Sequence, residues 1–159
     1  MKELETFLRR NKKYKIRVAV VGDTMIDEYY SVKADRVSPE FPIPVMQREK
    51  SAPTSNCPGG AGNVCSQFKN FNVDVKHFAF ADPHAQMILE QSGISTTYCV
   101  DLLGGNKVPR KKRFYQGDFP LCRLDIESYN YALHHDRLKK LQEELFAIYT
   151  QTEKDIVIL

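Results

Sequence analysis

The stretch KIRVAVVGD, residues 15–23, sets β-branched and apolar side chains side by side and stops at a Gly-Asp pair. A run without polar alternation suits a central parallel strand covered on both faces. VDVKHFAFA (73–81) and KDIVIL (154–159) have the same character. Helical patterns separate these runs. Asp82-Pro83 offers an N-cap followed by proline in the first helical position, and the helix it opens, PHAQMILEQSG, closes at Gly93. ALHHDRLKKLQEELFAIY carries Leu138, Leu141, Leu145 and Ile148 at helical spacing, and ELETFLRR (3–10) predicts a short amphipathic helix. Strands alternating with helices imply an α/β fold.

One part breaks the alternation. EYYSVKADRVSPEFPIPVMQREK (28–50) reads as short β-prone pieces interrupted by Pro39, Pro42 and Pro44, which confine such pieces to edges or turns. TTYCVDLL and RKKRFYQ read as strands around a GGN turn, and LCRLDIE as a further short strand. This material predicts a small β-rich appendage on the α/β domain, built from about residues 28–54 and 98–126.

SNCPGGAGNVCSQF (55–68) opens another helix, through Asn63, Val64 and Phe68, and places Gly59, Gly60 and Gly62 within four positions. Three ordered glycines are costly, so bare backbone has a purpose there. GxGxxG does not follow the first strand, and no GxxxxGK[ST] frame is present. On the glycines alone two readings stand. One is a loop that lets a polyhydroxy ligand approach closely, with Asn63 as donor and acceptor. The other is a tight turn with a capping asparagine.

Composition narrows the field. A net charge of +3 over 159 residues gives no argument for a nucleic-acid protein, although RKKR (110–113) is a local basic run. The mean hydropathy is −0.43, and no apolar run approaches a membrane span. The first fifteen residues lack the apolar core of a secretory signal. Cys57, Cys65, Cys99 and Cys122 have no CxxC spacing and read as reduced thiols of a cytoplasmic protein. Neighbouring His134 and His135 point in different directions on a helix, so no metal site is expected.

VAVVGDTMIDEYYSVKADRVSPEFPIPV, CPGGAGNVCSQF, NKVPRKKRFY and LCRLDIE, in that order, resemble the ribokinase-like (PfkB) carbohydrate kinases over nearly the whole chain. The match is nearest to the heptose-7-phosphate kinase domain of ADP-heptose synthesis enzymes. The resemblance implies the N-terminal part of a ribokinase-like, Rossmann-like α/β sheet with a small β-lid. It also implies a sugar or sugar phosphate as substrate, with ATP and Mg²⁺ as cofactors. Asp27 matches the aspartate that hydrogen-bonds sugar hydroxyls, and Asp23 stands at the strand's C-terminal edge. Gly59, Gly60 and Asn63 match the sugar loop. Lys111 and Arg113 lie in the basic strand that faces a substrate phosphate, and Arg123 and Asp125 in the segment returning from the lid.

The sequence also departs from the family. The late GAGD motif, whose backbone N–H groups form the anion hole and whose aspartate is the base, has no counterpart; the GAGN of the glycine stretch lacks the acid. After FAFADPHAQ the usual GDDxxG is reduced to Asp82. The expectation is a truncated domain over 1–159 that holds sugar-binding residues and no catalytic base, inactive alone. The competing expectation is a non-catalytic remnant acting as a ligand-binding or interaction module, with a homodimer formed through the lid.

Overall fold

The computed structural model describes residues 6, 16–48, 53–102, 105–127, 135–150 and 155–158. The helix expected over 3–10 lies, apart from Thr6, outside the described residues. The described elements are β1 (Ile16–Val21), β2 (Thr24–Val37), β3 (Pro44–Arg48), β4 (Ser55–Gly60), α1 (Ala61–Gln67), β5 (Val73–Ala81), α2 (Pro83–Gln91), β6 (Cys99–Asp101), β7 (Arg110–Gln116), β8 (Phe119–Ile126), α3 (His135–Thr150) and β9 (Asp155–Ile158).

They form two sheets. The first has the order β6-β5-β1-β9, with each neighbouring pair parallel. The apolar run at Ile16 is thus a central strand, as its lack of alternation requires. Val18, Val20, Ala81 and Ile26 pack with Ala85, Ile88 and Leu89 of α2 and Cys65 of α1 on one face. Ala19 and Phe78 pack with Leu141 of α3 on the other, and Leu145 and Ile148 join them half-buried. Leu138, at the same helical spacing, is exposed. Asp82 caps α2 as expected, its carboxylate accepting from the His84 and Ala85 amides. Gly93 takes a positive φ of 70° just after the helix.

The second sheet has the order β3-β2-β7-β8, with β4 also on β2. Its strands differ from the expectation in three respects. Residues 24–37 form one fourteen-residue strand rather than short pieces, because the prolines begin only at Pro39 and every second residue from Thr24 to Val32 is buried. Gly59 and Gly60 close a strand, β4, instead of forming a loop. Cys99–Asp101 belongs to the first sheet, where it pairs with β5, so β6 and β7 are not a hairpin. The hairpin is β7–β8, turned at Gly117 with φ 57°. The second sheet therefore draws on residues 24–60 and 110–126. β7 runs parallel to β2, after the chain has crossed the first sheet and returned.

Candidate functional site

Alternation along a strand sends successive side chains to opposite faces, and register carries each face across the sheet. Asp27 stands opposite Cys57 of β4 and Lys111 of β7; Tyr29 stands opposite Arg113; Met25 stands opposite Gly59. Lys111 and Arg113 in turn face Asp125 and Arg123 of β8. One face, here called the open face, therefore gathers Asp27, Gly59, Lys111 and Arg113 from three strands. Four of the seven sequence-derived candidates meet there.

Arg113 donates from Nε (2.9 Å) and Nη2 (2.8 Å) to Oδ1 of Asp27. Arg113 was expected to face a substrate phosphate; its guanidinium is engaged by the aspartate instead, because a planar fork matches a carboxylate two residues away diagonally. That hydrogen bond also raises the guanidinium above its ordinary pKa. The second oxygen, Oδ2, hangs over Gly59: a Cβ built on that glycine would lie 2.9 Å from it. Burial, and then the Asp27 charge, push the Cys57 thiol upward, so it is a protonated neighbour rather than a nucleophile. Tyr29 and Tyr115 extend the face with ring centroids 5.9 Å apart. They line a shallow recess of about 410 Å³ with Ser31, Thr54 and Ser55.

The glycines have separate reasons. Gly60 has φ 56° and ψ −134°, and a Cβ there would lie 2.4 Å from the Asp23 carbonyl oxygen. The same carbonyl accepts from the Ala61 amide at 3.0 Å, which pins the start of α1 to the end of β1. At Gly62 a Cβ would lie 3.0 Å from both Leu89 and Pro58, so this glycine lets α1 close on α2 and β4. Asn63 is not the cap: the N-cap is Gly60, and Asn63 is exposed on α1, accepting from Gln67 Nε2 at 3.3 Å. Asp23 is exposed at the β1–β2 junction. Arg123 and Asp125 pair with each other, Nε to Oδ1 at 2.8 Å.

The opposite face holds what the sequence did not reveal. Arg110, 8% exposed, donates Nη1 to Glu28 Oε1 at 3.1 Å and Nη2 to both Asp82 oxygens at 3.1 and 3.2 Å. His84 Nδ1 lies 2.7 Å from Nη1, and Tyr30 donates to Glu28 Oε2 at 2.7 Å. The Val108 amide completes Asp82 at 2.9 Å. Burial, and then the bond to Glu28, push the Tyr30 hydroxyl up to about 12. The network joins β2 and β7 of the second sheet to the start of α2. In the sequence Arg110 is only the first residue of RKKR; the signal was its odd offset from Lys111 and Arg113, one and three positions, which sends it to the opposite face of a strand.

No family model matches the chain. It is 33% identical over 140 residues to the bifunctional protein HldE of Hydrogenovibrio crunogenus, covering 85% of this chain and 28% of that protein. It is 35% identical over 122 residues to HldE of Magnetococcus marinus, covering 72% and 24%. The chain thus spans about a quarter of the length of these relatives. Among solved structures, the nucleoside kinase of Methanocaldococcus jannaschii, an archaeal member of the ribokinase family, superimposes with a TM-score of 0.51 at 16% identity, over 76% of this chain and 39% of that one. Arabidopsis thaliana ribokinase complexed with ribose and ATP gives 0.51 at 12% identity, over 71% and 36%.

The fold is that of the ribokinase-like kinases. By sequence the chain is similar to the HldE proteins, over about a quarter of their length.

Proposed function

We propose that this chain supplies the sugar-binding part of an ATP-dependent carbohydrate kinase, with a sugar phosphate such as heptose 7-phosphate as its ligand. The observation that carries the reading is the placement of Asp27 Oδ2 above the bare backbone of Gly59, on a face that also presents Lys111. A ring hydroxyl donates to Oδ2, and the missing side chain at Gly59 admits the ring. Asp23, exposed at the β1–β2 junction, and Asn63, exposed on α1, are further candidate contacts in this reading, and Gly60 joins β4 to α1. The ribose and ATP complexed with the Arabidopsis ribokinase support the same class of ligand.

The family implies ATP and Mg²⁺ as well. Among the described residues no group of three His, Cys, Asp or Glu side chains is placed to hold a metal ion. Asp27 and Asp125, the acids of the open face, are each held by an arginine. These residues do not fit a magnesium site, and no phosphoryl-transfer step is assigned to them. The reading keeps the expectation drawn from the sequence, that the chain binds sugar and, with no GAGD aspartate, does not turn over ATP by itself.

A second reading has its own observation. Val37, Phe41, Ile43 and Phe119, on or beside the second sheet, are 56–69% exposed. Apolar groups at this exposure suit pairing with a second copy through the lid.

Calorimetric titration with heptose 7-phosphate, heptose and ATP tests the first reading. The expected result is weak binding of the phosphosugar, none of ATP, and a roughly tenfold to hundredfold loss with Asp27→Ala. Equal affinity of wild type and Asp27→Ala, or tight ATP binding, overturns it. Absent sugar binding with a concentration-dependent dimer favours the second reading.

A further inference from the structure

The basic pair Lys111 and Arg113 looks uniform in sequence, and the structure divides it. Asp27 lies directly opposite Lys111 in the register of β2 and β7, yet Arg113 reaches it diagonally. Both Arg113 donors fall on one oxygen, Oδ1. Two bonds from a rigid fork to a single atom fix the side-chain torsions of the aspartate and leave Oδ2 unclaimed by the guanidinium. The Arg113 guanidinium is itself backed by the Tyr29 ring, 6.0 Å from its centroid. Asp125, the acid opposite Lys111 on the other side, is held by Arg123 at 2.8 and 3.0 Å. Lys111 makes no hydrogen bond or ion pair with the described residues, although it is half-buried among these groups. Among the described residues the face thus carries two closed ion pairs and one unmatched cation.

We propose that Arg113 is a positioning residue that aims the Asp27 carboxylate at a neutral hydroxyl, while the anionic end of the ligand falls to Lys111. The proposal rests on reading the open face as a sugar site, and it assigns the two basic residues different work. A guanidinium already committed to a carboxylate has little charge left for a phosphate, whereas the point charge of a lysine ammonium does. Arg113 then acts on every sugar through Asp27, and Lys111 acts only on phosphorylated ones.

A double-mutant cycle separates these roles. Affinities of heptose and heptose 7-phosphate are measured by calorimetry for wild type, Arg113→Gln, Arg113→Lys, Lys111→Met, Asp27→Asn and the Asp27→Asn/Arg113→Gln pair, with folding checked by amide spectra. Arg113→Gln is expected to weaken both sugars by the same factor, roughly tenfold, and to add nothing in the Asp27→Asn background. Arg113→Lys recovers part of the loss, and Lys111→Met weakens only the phosphorylated sugar. An Arg113→Gln effect confined to heptose 7-phosphate, or persisting fully in the Asp27→Asn background, overturns the proposal. Side-chain NMR couplings give a readout without ligand: Asp27 holds one χ1 rotamer in wild type and averages in Arg113→Gln. An unchanged single rotamer in that variant overturns the positioning role. If wild type binds neither sugar yet the rotamer is released, the positioning stands and the sugar-site reading fails.

Discussion

Asp27 and Glu28 are consecutive acids on β2, and each is held by an arginine of β7. Their surroundings differ. Glu28 points into the closed face, where it, Arg110 and Asp82 are 5%, 8% and 4% exposed and every charged oxygen described there has a donor. Asp27 points to the open face, where its side chain retains 16% and that of Arg113 29% of their exposure. One carboxylate is saturated by protein groups; the other keeps an oxygen over bare backbone. The same chemical pair is therefore a closed clasp on one side of a strand and leaves an acceptor oxygen open on the other. Strand alternation alone separates the two uses by a single residue.

The largest expected effect tests the closed side. Arg110→Met leaves buried Asp82 without its cation and Glu28 with only Lys112, 4.0 Å away, at a cost of about 3–5 kcal/mol. Urea unfolding should show a variant near or below the limit of stability, whereas Arg113→Met should shift the midpoint far less. Adding Glu28→Gln and Asp82→Asn to Arg110→Met should recover part of the loss. Similar destabilisation by the two single arginine variants would erase the distinction between the faces.

His77 sharpens the contrast, since it is 1% exposed on β5 and its Nε2 has no hydrogen-bond partner. With no acid to match it, burial drives its pKa from 6.5 down to about 4. Between those values the unfolded chain binds a proton that the native state refuses, so stability rises with pH across this window and falls as pH drops from about 6.5 to about 4. The loss is about 3 kcal/mol in total. Unfolding midpoints followed through the window should flatten in His77→Gln relative to wild type. Parallel curves would show that the interior around β5 accepts a charged imidazole.

The smallest effect separates two adjacent glycines. Gly60→Ala forces a side chain into a left-handed backbone and against the Asp23 carbonyl, costing about 1–3 kcal/mol of stability. Gly59→Ala meets mainly Asp27 Oδ2, the end of a side chain, and should cost less than about 1 kcal/mol while displacing the carboxylate from its ligand geometry. Thermal melts paired with sugar titration read both quantities. Equal destabilisation by the two substitutions would place Gly59 in the fold rather than in the site.

Much of the architecture was legible because it is local. The unalternated run at Ile16–Val21, the strand Val73–Ala81 and the Asp82 cap each follow from neighbours within a few residues. The glycine cluster and Asp27 were legible as a candidate site only through the ordered motifs that resemble a known family. The appendage was harder. Its prolines suggested fragments, yet the strand before them runs unbroken, and the expected hairpin at the GGN turn gave way to strands in separate sheets.

The sequence by itself determined the α/β class and the strands β1, β5 and β9 of the first sheet, because periodicity and capping are written along the chain. It also placed an acid at 27, bare backbone at 59 and bases at 110–113. Only the tertiary structure decided which of those bases serves which acid. The Asp27–Arg113 bond spans 86 positions and the Glu28–Arg110 bond 82, and both depend on the parallel register of β2 against β7. That register is fixed by burial of Ile26, Glu28 and Tyr30 on one side, together with the Arg110 clasp to Asp82. Shifting it by one residue would exchange the two faces. No local pattern within RKKR carries that information, since its four residues offer the same charge in every position.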